Sequence, residues 1–136
     1  MVKIKNESLS VIKNTKKDLV NLVHDDSIIK FLRIIFDNLK DAKAEEIVFI
    51  NAKGKSSITD YLIVCQGNSQ KHCKSIAEKI MHNLKKEGHN SIGIEGEHEG
   101  NWVLLDYGEI ILHVLHPEIR RYYNIEELFS KRFWLD

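Results

Sequence analysis

Residues 100–115 read GNWVLLDYGEIILHVL. The pattern is that of two strands folded about a turn at Asp106-Tyr107-Gly108. Side chains alternate between the faces of a sheet, so Trp102, Leu104 and Asp106 share one face and Val103 and Leu105 the other. After the turn, Ile110, Leu112 and Val114 alternate with Ile111, His113 and Leu115. Both faces are largely apolar, which predicts interior strands rather than a solvated edge. Trp102 is the position that alternation leaves open. It follows Glu95, Glu97 and Glu99, spaced by Gly96 and Gly100, and reads either as a core plug or as a docking residue.

Working outward, Ile92-Gly93-Ile94-Glu95 forms a short strand before the hairpin, and His116-Pro117 ends the hairpin. Residues 118–124 carry Arg120, Arg121, Tyr122 and Tyr123, and Ile125 to Phe129 predicts a short terminal helix. Upstream, Tyr61-Leu62-Ile63-Val64-Cys65 is a buried strand that runs through Gln66-Gly67-Asn68-Ser69 into a long helix ending near Glu87. Ser69 or Asn68 suits its N-cap, and Gly88 suits the residue after its end. Cys73, Ile76, Ala77, Ile80, Met81 and Leu84 form its apolar stripe. Lys71, Lys74, Lys79, Lys85 and Lys86 lie mostly off that stripe, as a solvated face or a phosphate-facing patch.

An earlier helix is marked by Ile28, Phe31, Leu32, Ile35 and Leu39, with Ile29 and Phe36 beside them and Asp25, Asp26 and Ser27 at its start. Ile47-Val48-Phe49-Ile50 is a further strand. In residues 1–26, Leu9, Ile12, Leu19, Val20 and Val23 make only a sparse stripe, suited to a marginal helix or a partly ordered arm. The order helix, strand, strand, helix, strand, strand, strand, helix predicts an α/β domain over residues 27–136, a mixed sheet of about five strands with packed helices.

Composition narrows the function. The chain's 136 residues are enough for one domain with a core of its own. Lys plus Arg equals Asp plus Glu at 20 each, which argues against broad binding to bare nucleic acid but leaves room for a local basic patch. Cys65 and Cys73 form no disulfide framework and read as free thiols. No run approaches the roughly 18 apolar residues of a membrane span. The N-terminus has neither a continuous apolar stretch nor an arginine, so a soluble cytoplasmic protein is expected.

The chemical motifs are weak. Lys53-Gly54-Lys55-Ser56-Ser57 resembles the end of a phosphate-binding loop, but the glycine such a loop needs five positions earlier is Phe49. Gly67-Asn68-Ser69 opening a helix, with Glu95 and Glu97 later, invites comparison with metal-dependent nucleotidyltransferases. There, a Gly-Ser turn holds triphosphate and paired acids hold Mg²⁺. Glutamates in place of aspartates, after a long gap, make this the alternative reading. His113 and His116 lack the spacing of strong metal ligands, and His72 and Cys73 diverge by about 100° on their helix. No catalytic set, metal site or cofactor is expected. Arg120 to Tyr123 could stack on RNA, anchor the terminal helix or form a protein interface.

Taken in order, Asp60 to Val64, Gly67-Asn68-Ser69, Glu95-Gly96, Trp102 to Gly108, His113-Val114 and Arg120 to Tyr123 resemble the ribosomal silencing factor family, RsfS or Iojap, from about Ile28 to Phe129. The resemblance implies a nucleotidyltransferase-like α/β fold without its catalytic acids. It implies a non-enzymatic translation repressor that binds ribosomal protein fourteen of the large subunit and blocks joining of the small subunit. It also implies a homodimer when free. Carried over by position, Trp102, Leu104, Asp106, Tyr107 and Glu95 are the expected partner-binding residues, and contact with ribosomal RNA is a further possibility. Residues 1–26 depart from the family pattern.

Overall fold

The computed structural model describes residues 10–13, 25–52 and 59–124. Six strands form one sheet: β1 (Ser10–Lys13), β2 (Glu45–Asn51), β3 (Tyr61–Gln66), β4 (Gly93–Glu95), β5 (Trp102–Asp106) and β6 (Ile110–Leu115). Three helices accompany it: α1 (Asp26–Asp41), α2 (Gln70–Lys86) and α3 (Pro117–Tyr123). The spatial order is β1-β2-β3-β6-β5-β4. Every neighbouring pair is antiparallel except β3 and β6, which run parallel from Tyr61↔Ile110 to Gln66↔Leu115.

The five expected strands are all present, and the sixth comes from the amino-terminal segment. Ser10–Lys13, expected as marginal helix or arm, pairs antiparallel with Val48–Asn51. Four residues are too few to show a helical or alternating pattern of their own, and the partner strand supplies the pairing. At the other end, the expected helix at Ile125 to Phe129 lies outside the described residues, and a further helix, not expected from the sequence, begins at Pro117. Proline suits a first helical position because its missing N–H would be unpaired there anyway. His116 caps it, its Nδ1 accepting from the Glu118 amide at 3.3 Å. The Lys53 to Ser57 loop also falls outside the described residues.

The other helix boundaries follow the sequence closely. Asp25 caps α1 through Ser27 and Ile28, and Ser69 caps α2 by accepting from the His72 amide at 3.0 Å. Gly88 takes φ +92° just beyond α2, the left-handed conformation a side chain disfavours.

α1 and α2 cover one face of the sheet. Their buried stripes, with Phe36, Leu32, Ile76 and Ile80 at the centre, meet Phe49, Ile63, Val103, Leu105, Leu112 and Val114. Polar contacts tie the pair together. His72 accepts the Asn68 amide on Nδ1 at 2.9 Å and so presents Nε2–H to the Ala42 carbonyl at 2.9 Å, beyond the end of α1. Asn83 donates to Asn38 at 2.7 Å. Cys65 and Cys73 lie in this core as free thiols, and burial pushes Cys65 up to about 12 and raises Cys73. Both therefore remain protonated and inert near neutral pH, as core cysteines.

The opposite face carries Val48, Ile50, Leu62, Val64 and Leu115, all buried, with Trp102 and Ile119 packed against them. α3 lies on this side. Replacing Phe36, fully buried in the helix layer, by alanine is expected to cost about 3–5 kcal/mol in urea-unfolding free energy, while Arg33→Ala on the exposed side of the same helix stays within about 0.5 kcal/mol.

Candidate functional site

Strand register decides which expected site residues meet. Glu95 pairs with Leu104, Leu104 with His113, and His113 with Val64, so these form one row across the non-helical face. Asp106 pairs with Ile111 and Trp102 with Leu115 on the same face. Burial along β5 alternates as alternation requires: Trp102, Leu104 and Asp106 are partly exposed, while Val103 and Leu105 are fully buried against the helices. Going from β2 to β4, the face changes from buried aliphatic to half-exposed and polar.

Trp102 is neither plug nor free surface. Its Nε1–H donates to His113 Nδ1 at 3.1 Å, so that nitrogen is unprotonated and the neutral ring carries its hydrogen on Nε2. The partner fixes the indole's orientation while part of the ring stays accessible. His113 is buried, and desolvation lowers its pKa to about 4.

α3 completes the surface. The ladder between β5 and β6 continues one step to His116, whose amide donates to the Asn101 carbonyl at 2.8 Å, before Pro117 turns the chain. Arg120 is buried and donates to Gln66 Oε1 at 3.3 Å, anchoring the helix to the end of β3. Tyr123 then stands against Trp102 with ring centroids 5.3 Å apart, and Tyr122 meets Tyr123 edge-on at 4.9 Å. The two tyrosines are 52% and 80% exposed, so Trp102, Tyr123 and Tyr122 form an aromatic row leading out from the sheet. Exposed large aromatics in contact are the residue type enriched at protein interfaces.

Tyr107 does not join this surface. Its ring packs edge-on to Phe31 at 5.5 Å, on the helix side, and Phe31 stacks on His89. The Tyr107 hydroxyl is buried with no hydrogen-bond partner among the described residues, and burial raises it to about 12. Asp106 spends a carboxylate oxygen on the Gly108 amide at 2.8 Å, closing the turn, and its side remains partly open. Glu95 is exposed at the sheet edge.

The glutamate loop returns to the start of α2. A Cβ on Gly100 would lie 2.7 Å from the Gln70 carbonyl, and Gln70 donates to Asn101 at 2.8 Å. Gly96, at φ +80°, leaves no room at all, since a Cβ there would overlap the Trp102 carbonyl. Both glycines are demanded by these approaches. Glu95, Glu97 and Glu99 are exposed, and among the described residues no group of three His, Cys, Asp or Glu is placed to hold a metal ion.

Sequence reasoning missed His113 as the tryptophan's partner, and it weighed an interface for Tyr122 and Tyr123 without joining them to Trp102. The first was available in principle, because the pairs Trp102↔Leu115 and Leu104↔His113 make Trp102 and His113 diagonal neighbours on one face. The tyrosines required knowing where α3 turns.

A family model described as ribosomal silencing factor during starvation matches residues 25–136. The ribosomal silencing factor RsfS of Halalkalibacterium halodurans is 36% identical over 101 residues, covering 74% of this chain and 86% of that protein. A crystal structure of a Chromobacterium violaceum protein superposes with a TM-score of 0.71 at 32% identity, covering 74% of this chain and 84% of that one. A mouse protein named mitochondrial assembly of ribosomal large subunit protein 1 is 28% identical over 101 residues, covering 72% of this chain and 44% of that protein.

The histidine generates a pH prediction. Its folded pKa lies below the unfolded value of 6.5, so the unfolded chain binds the extra proton between about pH 6.5 and 4, and stability falls as pH falls through that window. His113 contributes a loss of about 2 kcal/mol between pH 7 and 5. Urea unfolding of His113→Gln at the two pH values is expected to show a correspondingly smaller drop than the wild-type chain.

Proposed function

The chain belongs to the ribosomal silencing factor family, and from that membership we propose that it is a non-catalytic translation repressor of the cytoplasm. In this reading it binds ribosomal protein fourteen on the large subunit through the Trp102 face, and its bulk prevents the small subunit from joining. The name of the mouse relative, which refers to the large ribosomal subunit, agrees with that choice of subunit. When free, the protein pairs with a second copy of itself.

The observation that carries the reading is the fixed, partly exposed indole. An anchor held by His113 loses little side-chain freedom on docking, which lowers the entropic cost of association. Leu104 adds apolar area beside it, and Tyr123 and Tyr122 extend it. Glu95 and Asp106 give the rim a negative character suited to a basic ribosomal protein, speeding encounter more than adding affinity.

The enzymatic alternative loses support at the start of α2. A nucleotidyltransferase would offer free amides and a serine hydroxyl there to a triphosphate. Here the Asn68 amide is bonded to His72, and the His72 amide is bonded to the Ser69 hydroxyl. Gly67 lies so close to Cys73 that a Cβ would sit 2.9 Å from its amide nitrogen and its sulfur. The turn is filled by its own helix.

Co-sedimentation with purified large subunits tests the proposal. Trp102→Ala is expected to weaken binding by about 2 kcal/mol or more, roughly thirtyfold, and Tyr123→Ala to weaken it as well. Tyr107→Phe, on the opposite face, is expected to bind like wild type. A wild-type chain that stays in the supernatant, or a Trp102→Ala variant that is folded and sediments undiminished, would defeat the reading.

A further inference from the structure

The outward side of α2 holds a charge pattern that the docking face does not use. At 100° per residue, Lys71, Lys74, Lys79, His82, Lys85 and Lys86 fall within about 80° of one line, opposite the buried Cys73, Ile76, Ala77, Ile80 and Leu84. Glu78 is the one acid among them, so the stripe carries five formal positive charges against one negative. It runs about 22 Å along the helix. Five acids, Glu95, Glu97, Glu99, Asp106 and Glu109, lie on and around β4 and the β5–β6 hairpin, while five lysines lie on α2.

Fold requirements do not account for the stripe. Lys85 and Lys86 complement the negative end of the α2 dipole, but Lys71 sits in the first turn, where the dipole disfavours a cation and where α2 has no acid. Among the described residues no ion pair neutralises any of the five lysines. Only Lys74 has a structural duty in view, its alkyl chain lying against the Gly100 approach. The stripe also contains no Phe, Tyr, Trp or large aliphatic side chain. Protein interfaces are depleted in lysine and enriched in aromatic anchors, whereas a phosphate backbone is met by lysines acting as point charges.

We propose that the Lys71–Lys79–Lys85–Lys86 side of α2 is a second contact surface, which takes the phosphate backbone of RNA without reading its sequence. α2 packs on the sheet face opposite Trp102, so both surfaces are available at once. The inference is independent of the Trp102 reading: one surface is aromatic and acidic, the other basic and apolar-free.

The test uses the full chain and a fluorescent RNA duplex of about 16 base pairs and arbitrary sequence, followed by anisotropy between about 50 and 200 mM KCl. Wild type is expected to bind with an affinity that falls steeply with salt and is indifferent to sequence. The triple variant K71Q/K79Q/K86Q should bind at least tenfold more weakly at the lowest salt and with a log–log salt slope smaller by about 3. K30Q/K40Q on α1 should match wild type. Trp102→Ala should keep its RNA affinity whatever it does to large-subunit binding, which separates failure of this proposal from failure of the docking one. Absence of salt-dependent RNA binding by wild type, or a triple variant that binds as well as wild type, overturns the proposal. Tighter binding of a labelled polyglutamate peptide than of the duplex overturns it too, since that outcome assigns the face to an acidic protein.

Discussion

The parallel pairing of β3 with β6 is the constraint on which the rest of the molecule depends. Two adjacent parallel strands cannot be joined by a tight turn, so the chain between Gln66 and Ile110 must cross from one end of the sheet to the other. That crossing contains α2, β4 and β5. Because α2 lies on one face, the return of β5 and β6 as a hairpin beside β3 leaves the other face uncovered by it. Thr59, whose hydroxyl reaches the Glu109 carbonyl at 2.9 Å, ties the starts of the two strands together. The Gly67 amide bonds the Leu115 carbonyl at 3.1 Å where both strands end.

The two faces then diverge in chemistry. Against the helices the core is aliphatic and aromatic with two buried thiols, and it is sealed. On the other side, the centre is equally apolar but the β5–β4 margin is half open, and there a buried neutral histidine holds a tryptophan at the boundary of the core. The bond makes the margin part of the fold and of the surface together, so that loss of His113 is felt in both. In this member of the ribosomal silencing factor family, the proposed docking residues thus stand on a sheet strand and the short helix beside it.

Much of this was legible in the sequence, for identifiable reasons. Period-two alternation over residues 102–115 gave the hairpin and its faces, because a side chain's face depends only on parity. Caps at Asp25 and Ser69 and the wide stripes of α1 and α2 gave the helices, because those signals are local. The illegible parts involve partners remote in sequence. Nothing within Ser10–Lys13 announces that it will pair with Val48–Asn51. The row from Trp102 to Tyr122 exists only because α3 starts at Pro117 and packs on this face, a start that the residue pattern did not announce. Tyr107, adjacent to Asp106 and expected beside it, faces Phe31 instead, on the helix side that it shares by parity with Val103 and Leu105.

The three-residue β4 has a consequence of another kind. It is one of the two margins of the sheet, and an open margin is a template on which a foreign strand can grow. Gly93 and Gly96 bound its paired stretch, and beyond Glu95 the left-handed turn at Gly96 bends the chain away. What remains is too short a ladder, with a carboxylate on it, for another chain to extend. A domain with one half-open sheet face is thereby protected from polymerising through this edge.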